Sequence, residues 1–261
     1  MEDFFQGSVV HGVLGSLAAA LATGLGALAI FLRARWGRRS QAILLAGAGG
    51  VMLGAAVFSL LLPALERATA MTGSRIGGSA IATAGLLLGA LAIHALHQVV
   101  PHEHFVKGPE GAARFHLGRH WLFVLAITLH NLPEGMSVGV GYGESEATGL
   151  AIMLGIGAQN VPEGLAVAAA LVDGGASRLR GFVVALLSGL VEPIGGLIGA
   201  ATASASTSLL PWVLAFAAGA MFFVVSGEII PETHRVGTER SATFSLVAGF
   251  AAMVLLDAVL G

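Results

Sequence analysis

Eight long apolar runs dominate the chain, and each is long enough to cross the hydrocarbon core of a bilayer. An α-helix needs about 20 mostly apolar residues for that crossing. The 261 residues are 56% hydrophobic with a mean hydropathy of +0.85, and a soluble domain of this size cannot bury so much apolar surface. The predicted spans, numbered 1 to 8, are residues 9–32, 41–65, 78–100, 120–142, 148–172, 180–203, 208–230 and 242–260. The sequence therefore predicts an all-α polytopic membrane protein in which residues 1–261 form a single transmembrane domain.

The basic residues indicate which side of the membrane each connection faces. Arg and Lys concentrate in cytoplasmic loops, and all thirteen except Arg67 and Arg75 lie in the connections after spans 1, 3, 5 and 7. We therefore expect a multi-pass protein of the inner (cytoplasmic) membrane, with both termini outside and a cytoplasmic loop at residues 101–119. Glu2 and Asp3 stand where a cleaved signal peptide carries basic residues, so the first run is expected to remain as a helix.

Two copies of one polar motif lie inside adjacent spans. "HNLPEG" begins at His130 in span 4, and "QNVPEG" begins at Gln159 in span 5. A third acid, Glu192, lies near the middle of span 6 and is followed by a proline. A charge at the bilayer centre costs on the order of 2.5–3.5 kcal/mol, and no Lys or Arg lies at that depth in the sequence. The acids therefore require protons or a cation brought from outside.

Helix geometry favours the cation. Residues four apart lie on one helix face, so His130 pairs with Glu134, Gln159 pairs with Glu163, and the two pairs can face each other across antiparallel helices. Imidazole nitrogen with carboxylate oxygen suits Zn²⁺ and other first-row divalent ions, whereas oxygen alone suits Mg²⁺ or Ca²⁺. The chain contains no cysteine, so thiolate ligands are excluded.

The motif asparagines leave the number of ions open. Asn131 and Asn160 follow the first motif residues, and their amide oxygens can reach a second ion that shares Glu134 and Glu163. Bridging carboxylates permit such a two-metal site but do not require it.

The motif prolines also favour a polar path. Pro133 and Pro162 cannot donate a backbone hydrogen bond, so they kink a helix and leave the carbonyls of Leu129 and Ala158 unpaired. Irregular backbone at membrane depth is tolerated where it lines protein or a water-filled cavity.

Polar residues near the ends of the spans are candidates for secondary sites. Ser59 and Glu66 lie toward the outer end of span 2, where they can meet an arriving ion, and Asp257 near the outer end of span 8 is interpreted as structural. The residues toward the cytoplasm form either a release or sensing site or a set of loop residues and helix caps. They are His94, His97, His102, Glu103, His104, Glu228, Glu232 and His234.

These motifs resemble the ZIP family of divalent metal transporters, in its bacterial branch. The similarity rests on "HNLPEG", "QNVPEG" and the "VEP" of span 6, and it extends to "PHEH", "IIPETHR" and "LLDAVLG". The resemblance implies import of Zn²⁺, and often Fe²⁺, Mn²⁺ or Cd²⁺, into the cytoplasm through a binuclear site between helices 4 and 5. It also implies a 3+2+3 arrangement with inverted repeats and commonly a homodimer. "FSLLLPALE" of span 2 resembles "VVSGEIIPE" of span 7, a weak trace of such a repeat.

The resemblance assigns a ligand set. The primary ion is implied at His130, Glu134, Gln159 and Glu163, and the second at the shared glutamates with Asn131, Asn160 and Glu192. Gln159 stands where many eukaryotic members have histidine, and Asn160 stands where some bacterial members have aspartate. Both departures lower the charge of the site and weaken the case for tight zinc selectivity.

Two other functional classes share parts of this pattern. A cation/proton or cation/calcium antiporter also pairs Pro-Glu motifs, but it prefers oxygen ligands, and His130 argues against it. An intramembrane metalloenzyme is expected to carry His-Glu-x-x-His, which does not occur. We expect no enzymatic activity, no catalytic cofactor and no nucleic-acid partner; the expected partners are divalent metal ions and the lipid bilayer.

Overall fold

Helices make up nearly all of the structure, a computed structural model that describes residues 2–33, 37–99, 102–104, 108–110, 119–206, 208–234 and 237–260. In these ranges β1 (His102–His104) pairs antiparallel with β2 (Gly108–Glu110), which is an addition that apolar periodicity does not predict. Most of the predicted cytoplasmic loop 101–119 lies outside the described residues. Apart from this short hairpin, the predicted all-helical class is confirmed for the part of the chain that the structure describes.

Eleven α-helices follow one another in the described ranges. They are α1 (Glu2–Leu32), α2 (Arg38–Gly54), α3 (Leu62–Thr72), α4 (Arg75–Val99), α5 (Arg119–Glu144), α6 (Glu146–Asp173), α7 (Arg178–Gly189), α8 (Glu192–Ala205), α9 (Leu210–Val224), α10 (Ile230–Thr233) and α11 (Glu239–Leu260).

Seven helical segments of the described residues are long and apolar enough to cross a membrane, judged by length and composition. They are Gly7–Leu32, Arg39–Thr72, Arg75–Gln98, Glu146–Asp173, Arg178–Ala205, Leu210–Thr233 and Glu239–Leu260. The sequence predicts one more span, 120–142, which falls in the 26 residues of α5. The polar motif "HNLPEG" lowers the mean hydropathy of α5, so the count of eight depends on this helix.

Two of these segments contain a π-helical stretch just before a proline. Ala55–Leu61 joins α2 to α3 ahead of Pro63, and Val225–Ile229 joins α9 to α10 ahead of Pro231. A proline has no N–H for the carbonyl one turn earlier, and π stretches within α-helices frequently occur at functional positions. The similar strings "FSLLLPALE" and "VVSGEIIPE" therefore share a backbone irregularity as well as a sequence pattern.

The helices pack in two groups. In the first group α1 lies against α6 and α8, and α5 lies against α8 and α6. In the second group α11 packs on α2, and α9 packs on α4. The groups meet where α2 contacts α6 and where α5 contacts α9. The two motif helices, α5 and α6, thus lie side by side and also face the second group.

The last residue of each motif brings a neighbouring backbone close. A Cβ built on Gly135 would overlap the backbone of Glu192 in α8, and a Cβ built on Gly164 would overlap the backbone of Thr23 in α1. Only glycine permits an approach this close. Beside each motif, two helices are therefore held in backbone contact.

Large apolar side chains cover the outer surface of the peripheral helices. Leu88 and Leu91 of α4 and Phe244, Leu255 and Val259 of α11 are all exposed. Exposed apolar patches of this kind mark interaction surfaces in soluble proteins, whereas side chains that face hydrocarbon are expected to be apolar. The outer faces of α4 and α11 are therefore suited to lipid.

Two polar contacts lie at the end of the molecule where α5 turns into α6. Arg67 Nε, on α3, donates to Glu144 Oε1 at 3.0 Å, and His11 Nδ1, on α1, lies 2.5 Å from Glu146 Oε1. Because the His11 contact is exposed, it contributes about 1 kcal/mol or less. The start of α1, the end of α3 and the α5–α6 turn accordingly lie at one end of the bundle.

Substitution Gly164→Ala is expected to lower the stability of the protein by about 1–3 kcal/mol, because the added methyl group must push α6 away from the α1 backbone. The measurement is the thermal unfolding of the purified protein in detergent.

The matched control is Gly157→Ala on the same helix, where the nearest atom to an added Cβ is 3.8 Å away. There the better helix propensity of alanine, about 1 kcal/mol, is not opposed, so stability should stay the same or rise. Equal effects of the two substitutions would contradict the close contact at Gly164.

Candidate metal centre

The two motif helices face each other because a single residue separates them. Ser145 lies between Glu144, the last residue of α5, and Glu146, the first residue of α6, and its Oγ accepts a hydrogen bond from Thr148 N at 3.0 Å. Such an N-cap starts the second helix at once. The helices therefore run antiparallel, and their motifs, each about halfway along, come to the same level.

All seven ligand residues predicted from the sequence are buried in this region, with no more than 3% of any of them exposed. They are His130, Asn131, Glu134, Gln159, Asn160, Glu163 and Glu192. The Glu134 carboxyl group lies close enough to those of Glu163 and Glu192 for their charges to repel one another, and His130 lies close to Glu163. The structure thus brings the acids of α5, α6 and α8 into one group, which we call the acid cluster (Glu134, Glu163 and Glu192).

Glu192 reaches the acid cluster because its span is interrupted. The sequence predicts a continuous helix over 180–203, but α7 ends at Gly189 and α8 begins at Glu192. Pro193 is tolerated in the first turn of a helix, and that turn also favours a negative charge. The motif "VEP" therefore marks the start of a new helix whose first acid points toward α5 and α6.

The two motif asparagines are anchored in matching ways. Asn131 Nδ2 donates to Ser188 O at 2.7 Å, and Asn160 Nδ2 donates to Ala19 O at 2.8 Å. Ser188 is in the last turn of α7, where helical carbonyls lack partners within the helix. Asn131 therefore links α5 to the end of α7, and Asn160 links α6 to α1.

A chain of side-chain hydrogen bonds continues from Asn160. Its Nδ2 also donates to Glu192 Oε1 at 2.7 Å, and its Oδ1 accepts from Gln159 Nε2 at 2.8 Å. All three residues are buried. The amide of Asn160 therefore connects the acid of α8 to the first motif residue of α6.

Several buried oxygen atoms at the site lack a hydrogen-bond donor. In the described residues these are Glu134 Oε1 and Oε2, Glu163 Oε2, Glu192 Oε2, Asn131 Oδ1 and Gln159 Oε1. Each such atom costs about 1–3 kcal/mol, and more if it is charged. The sequence contains no Lys or Arg between Arg119 and Arg178. A cation can satisfy these oxygens together, since all of them are acceptors.

His130 contacts an acid that the sequence reasoning did not assign to it. Its Nε2 lies 2.6 Å from Glu228 Oε2, and His97 Nε2 lies 3.1 Å from Glu228 Oε1. Ligand atoms of the three residues lie within 4.8 Å of one another, and two imidazoles with a carboxylate suit Zn²⁺. We call this group the His-His-Glu triad (His97, His130 and Glu228). His130 borders the acid cluster on one side and belongs to the triad on the other.

Residues 101–257 match a model of the ZIP zinc transporter family. The chain belongs to the ZIP family. "Zinc transporter GufA" of Myxococcus xanthus is 46% identical over 255 residues, covering 96% of this chain and 99% of the relative. "Zinc transporter ZIPB" of Bordetella bronchiseptica is 47% identical over 255 residues, covering 97% and 82%, and "Zinc transporter ZIP11" of Homo sapiens is 31% identical over 336 residues, covering 97% and 98%. These matches confirm the family resemblance of the two motifs.

In this ZIP protein, the polar candidates at the outer ends of spans 2 and 8 do not all come together in the structure. Ser59, in the first π stretch, donates from Oγ to Asp257 Oδ1 on α11 at 2.5 Å, and Ser59 is buried. Glu66 is exposed on α3. The contact between Ser59 and Asp257 joins two helices, as the structural interpretation of Asp257 requires.

At the opposite end, the structure draws His97 and Glu228 to the metal centre and leaves other candidates near the ends of helices. His94 is exposed and its Nε2 lies 2.9 Å from Gln98 Nε2, while His234 Nδ1 lies 3.0 Å from Ile230 O. Glu232 is partly buried. The side chains of His102, Glu103 and His104 lie outside the described residues.

Sequence reasoning placed Glu228 near the edge of span 7 and so missed its contact with His130. One signal was available: Glu228 is an acid inside an apolar run with no Lys or Arg between Arg180 and Arg235, the same argument that singles out Glu192. The π stretch Val225–Ile229 shifts the register of the helix, so a regular period of 3.6 residues does not predict where Glu228 points.

Substitution Asn131→Leu should lower the stability of this ZIP protein by about 1–3 kcal/mol, because leucine has a similar volume but leaves the Ser188 carbonyl without its donor. Thermal unfolding in detergent measures the change.

Ser137→Ala on the same helix is the control, since the Ser137 hydroxyl donates at 2.8 Å to Pro133 O within its own helix and its other contact, at 3.1 Å, is to the weak acceptor Met221 Sδ. Its removal should cost less than the loss of the bridge to α7. A smaller effect for Asn131→Leu than for Ser137→Ala would show that the bridge to α7 is unimportant.

Proposed function

We propose that the protein carries Zn²⁺ into the cytoplasm and holds it in mid-membrane between α5 and α6. The observation that carries this proposal is the set of buried oxygens without donors around Glu134 and Glu163. The relatives are named zinc transporters, and we extend that activity to this chain because it keeps both motifs. The seven predicted residues surround the proposed site, with Glu134 and Glu163 as its central ligands.

The chemistry of the donors supports a transition-metal ion rather than Ca²⁺. Gln159 and the two glutamates offer oxygen, and His130 offers the nitrogen that Zn²⁺ accepts and Ca²⁺ avoids. The same mixed set suits Cd²⁺, Fe²⁺ or Mn²⁺, which we include as further substrates. A site without thiolates also binds weakly enough to release its ion.

The His-His-Glu triad supports a route out of the site. His130 lies between the acid cluster and Glu228, so an ion can exchange carboxylate ligands while keeping the imidazole. We propose the triad as the next station toward the cytoplasm, the side on which the sequence predicts His97 and Glu228. A doubly charged ion moving inward gains roughly 4.6 kcal/mol per 100 mV of membrane potential, so uptake needs no coupled ion.

We further propose that α5 is the eighth span and that the spans follow a 3+2+3 plan. At about 1.5 Å per residue, a helix of 26 residues is long enough to cross the bilayer. Its polar side chains face α6, α8 and α9 rather than lipid, because His130, Asn131 and Glu134 are buried. Because these polar side chains are buried, α5 can span the membrane despite its modest hydropathy.

Helix packing supports the inverted repeat. Exchanging spans 1–3 with spans 6–8, and span 4 with span 5, maps the α1–α6 contact onto the α8–α5 contact and the α2–α11 contact onto the α9–α4 contact. The same exchange maps the Asn160 bond to Ala19 onto the Asn131 bond to Ser188. Pairs of helices, hydrogen bonds and π stretches thus repeat together, as internal repeats of transporters require.

The double substitution Glu134→Ala plus Glu163→Ala is expected to abolish saturable Zn²⁺ uptake, because it removes the charges that hold the ion. Uptake is measured in proteoliposomes that contain a trapped fluorescent zinc reporter, with Cd²⁺, Mn²⁺, Fe²⁺ and Ca²⁺ as competitors to rank the ions.

Glu66→Ala plus Glu146→Ala is the matched control, since it removes the same charge from exposed positions and should leave most of the uptake intact. Wild-type Zn²⁺ influx no faster than in empty liposomes, together with Ca²⁺ or proton movement, would replace the importer with the antiporter.

Substitution Glu228→Gln should lower the maximal rate of Zn²⁺ uptake several-fold with a smaller change in the half-saturating concentration, because it alters a station after binding. Initial rates in the same proteoliposomes give both quantities.

Glu232→Gln, one turn further along and partly buried, is the control and should change neither strongly. A change in half-saturation alone for Glu228→Gln would place Glu228 in the binding step and contradict the release role.

A further inference from the structure

The number of ions at the acid cluster depends on a few hydrogen bonds. The residues of the two motifs are compatible with either one bound ion or two, and the family resemblance implies two. A second ion would need Asn160 and Glu192 as ligands, together with Asn131 and the shared glutamates. The contacts of Asn160 therefore decide whether that position can accept a cation.

Each polar atom of the Asn160 side-chain amide already has a hydrogen-bond partner. An asparagine has two N–H donors and one carbonyl oxygen. The two partners of Nδ2, Ala19 O and Glu192 Oε1, are both acceptors, so they fix the orientation of the amide. The remaining Oδ1 accepts from Gln159 Nε2. Asn160 consequently presents N–H to Glu192, and a metal ion cannot bind to that side of the amide.

An N–H donor at this position stabilises the Glu192 carboxylate, as a bound cation would. It supplies the positive end of a dipole to Glu192 Oε1 at 2.7 Å, and a hydrogen bond to a charged group is worth about 1.5–3 kcal/mol. A second ion would have to displace this bond, turn the amide and also release Gln159. An aspartate at this position would instead bring a second carboxylate against Glu192, and a proton or a cation would then be required between them.

The equivalent residue in the other half of the repeat differs. Asn131 makes the matching bond to a backbone carbonyl, Ser188 O, but its Oδ1 lacks a donor. Asn131 Oδ1 therefore remains available to an ion, whereas Asn160 Oδ1 already accepts the hydrogen bond from Gln159. The two halves of the site are alike in backbone anchoring and unlike in ligand capacity.

We propose that the acid cluster takes one transported ion at a time, and that Asn160 is a positioning residue whose amide holds Glu192 in place of a second ion. This inference rests on the proposed role of Glu134 and Glu163 as the ion site. Asn160 then determines how many ions the acid cluster binds, and a single substitution is expected to convert the site from one ion to two.

The test counts bound Zn²⁺ per chain in the purified full-length protein. Equilibrium dialysis in detergent, followed by elemental analysis, is carried out on the wild type and on Asn160→Asp. The value for Glu134→Ala plus Glu163→Ala is subtracted, since that variant loses the acid cluster but keeps the His-His-Glu triad. We expect a difference of one ion for the wild type and of two for Asn160→Asp.

Asn131→Asp is the matched control, because it adds the same charge to the equivalent helix and leaves the bond between Asn160 and Glu192 in place; one ion is expected. Two ions in the wild type, one in Asn160→Asp or two in Asn131→Asp would each overturn the inference. Size-exclusion profiles check that each variant is folded, and if a variant is not, the wild-type count alone decides. Equal binding by the wild type and the variant lacking both glutamates would instead refute the proposed ion site.

Discussion

Three carboxylates buried among apolar helices, with no Lys or Arg nearby in the sequence, are the constraint on which the rest of this structure depends. Glu134, Glu163 and Glu192 are each at most 1% exposed, and their charge is not tolerable there without a partner. Of the surrounding amides, Asn131 donates to a backbone carbonyl, Gln159 donates to Asn160, and Asn160 donates to Glu192 Oε1 as well as to backbone. In the proposed function a divalent cation balances these charges, and its transport explains why such an unfavourable arrangement is kept inside a membrane protein.

The two copies of the motif hold their helices in equivalent ways, and the residues that differ between the copies give the two halves of the site different contacts. Gly135 and Gly164 bring equivalent pairs of backbones together, α5 with α8 and α6 with α1, and Asn131 and Asn160 anchor to equivalent carbonyls. The first motif residue differs, since His130 reaches across to the second helix group. One half of the site therefore connects to the His-His-Glu triad, and the other half is closed by hydrogen bonds around Asn160.

Much of the fold and the core of the site could be predicted from sequence, because apolar length and period report helices directly and intramembrane acids stand out against them. Seven of the eight predicted spans correspond to helical segments long and apolar enough to cross a membrane, and the two motifs and Glu192 were also found in this way. The break before Glu192, the stretch Val225–Ile229 and the contact between His130 and Glu228 were not. Each depends on backbone irregularity or on packing between distant helices, which residue spacing does not encode. The orientation of the Asn160 amide likewise depends on its acceptors, Ala19 O and Glu192.

The central claim is that a divalent ion is bound between the carboxylates of α5 and α6. The most direct measurement is a crystal structure of the protein loaded with Cd²⁺, with data collected for anomalous scattering. The account predicts an anomalous peak within ligand distance of both Glu134 and Glu163 at mid-membrane depth. Peaks confined to surface residues, with the two carboxylates bound only to protein or water, would contradict it.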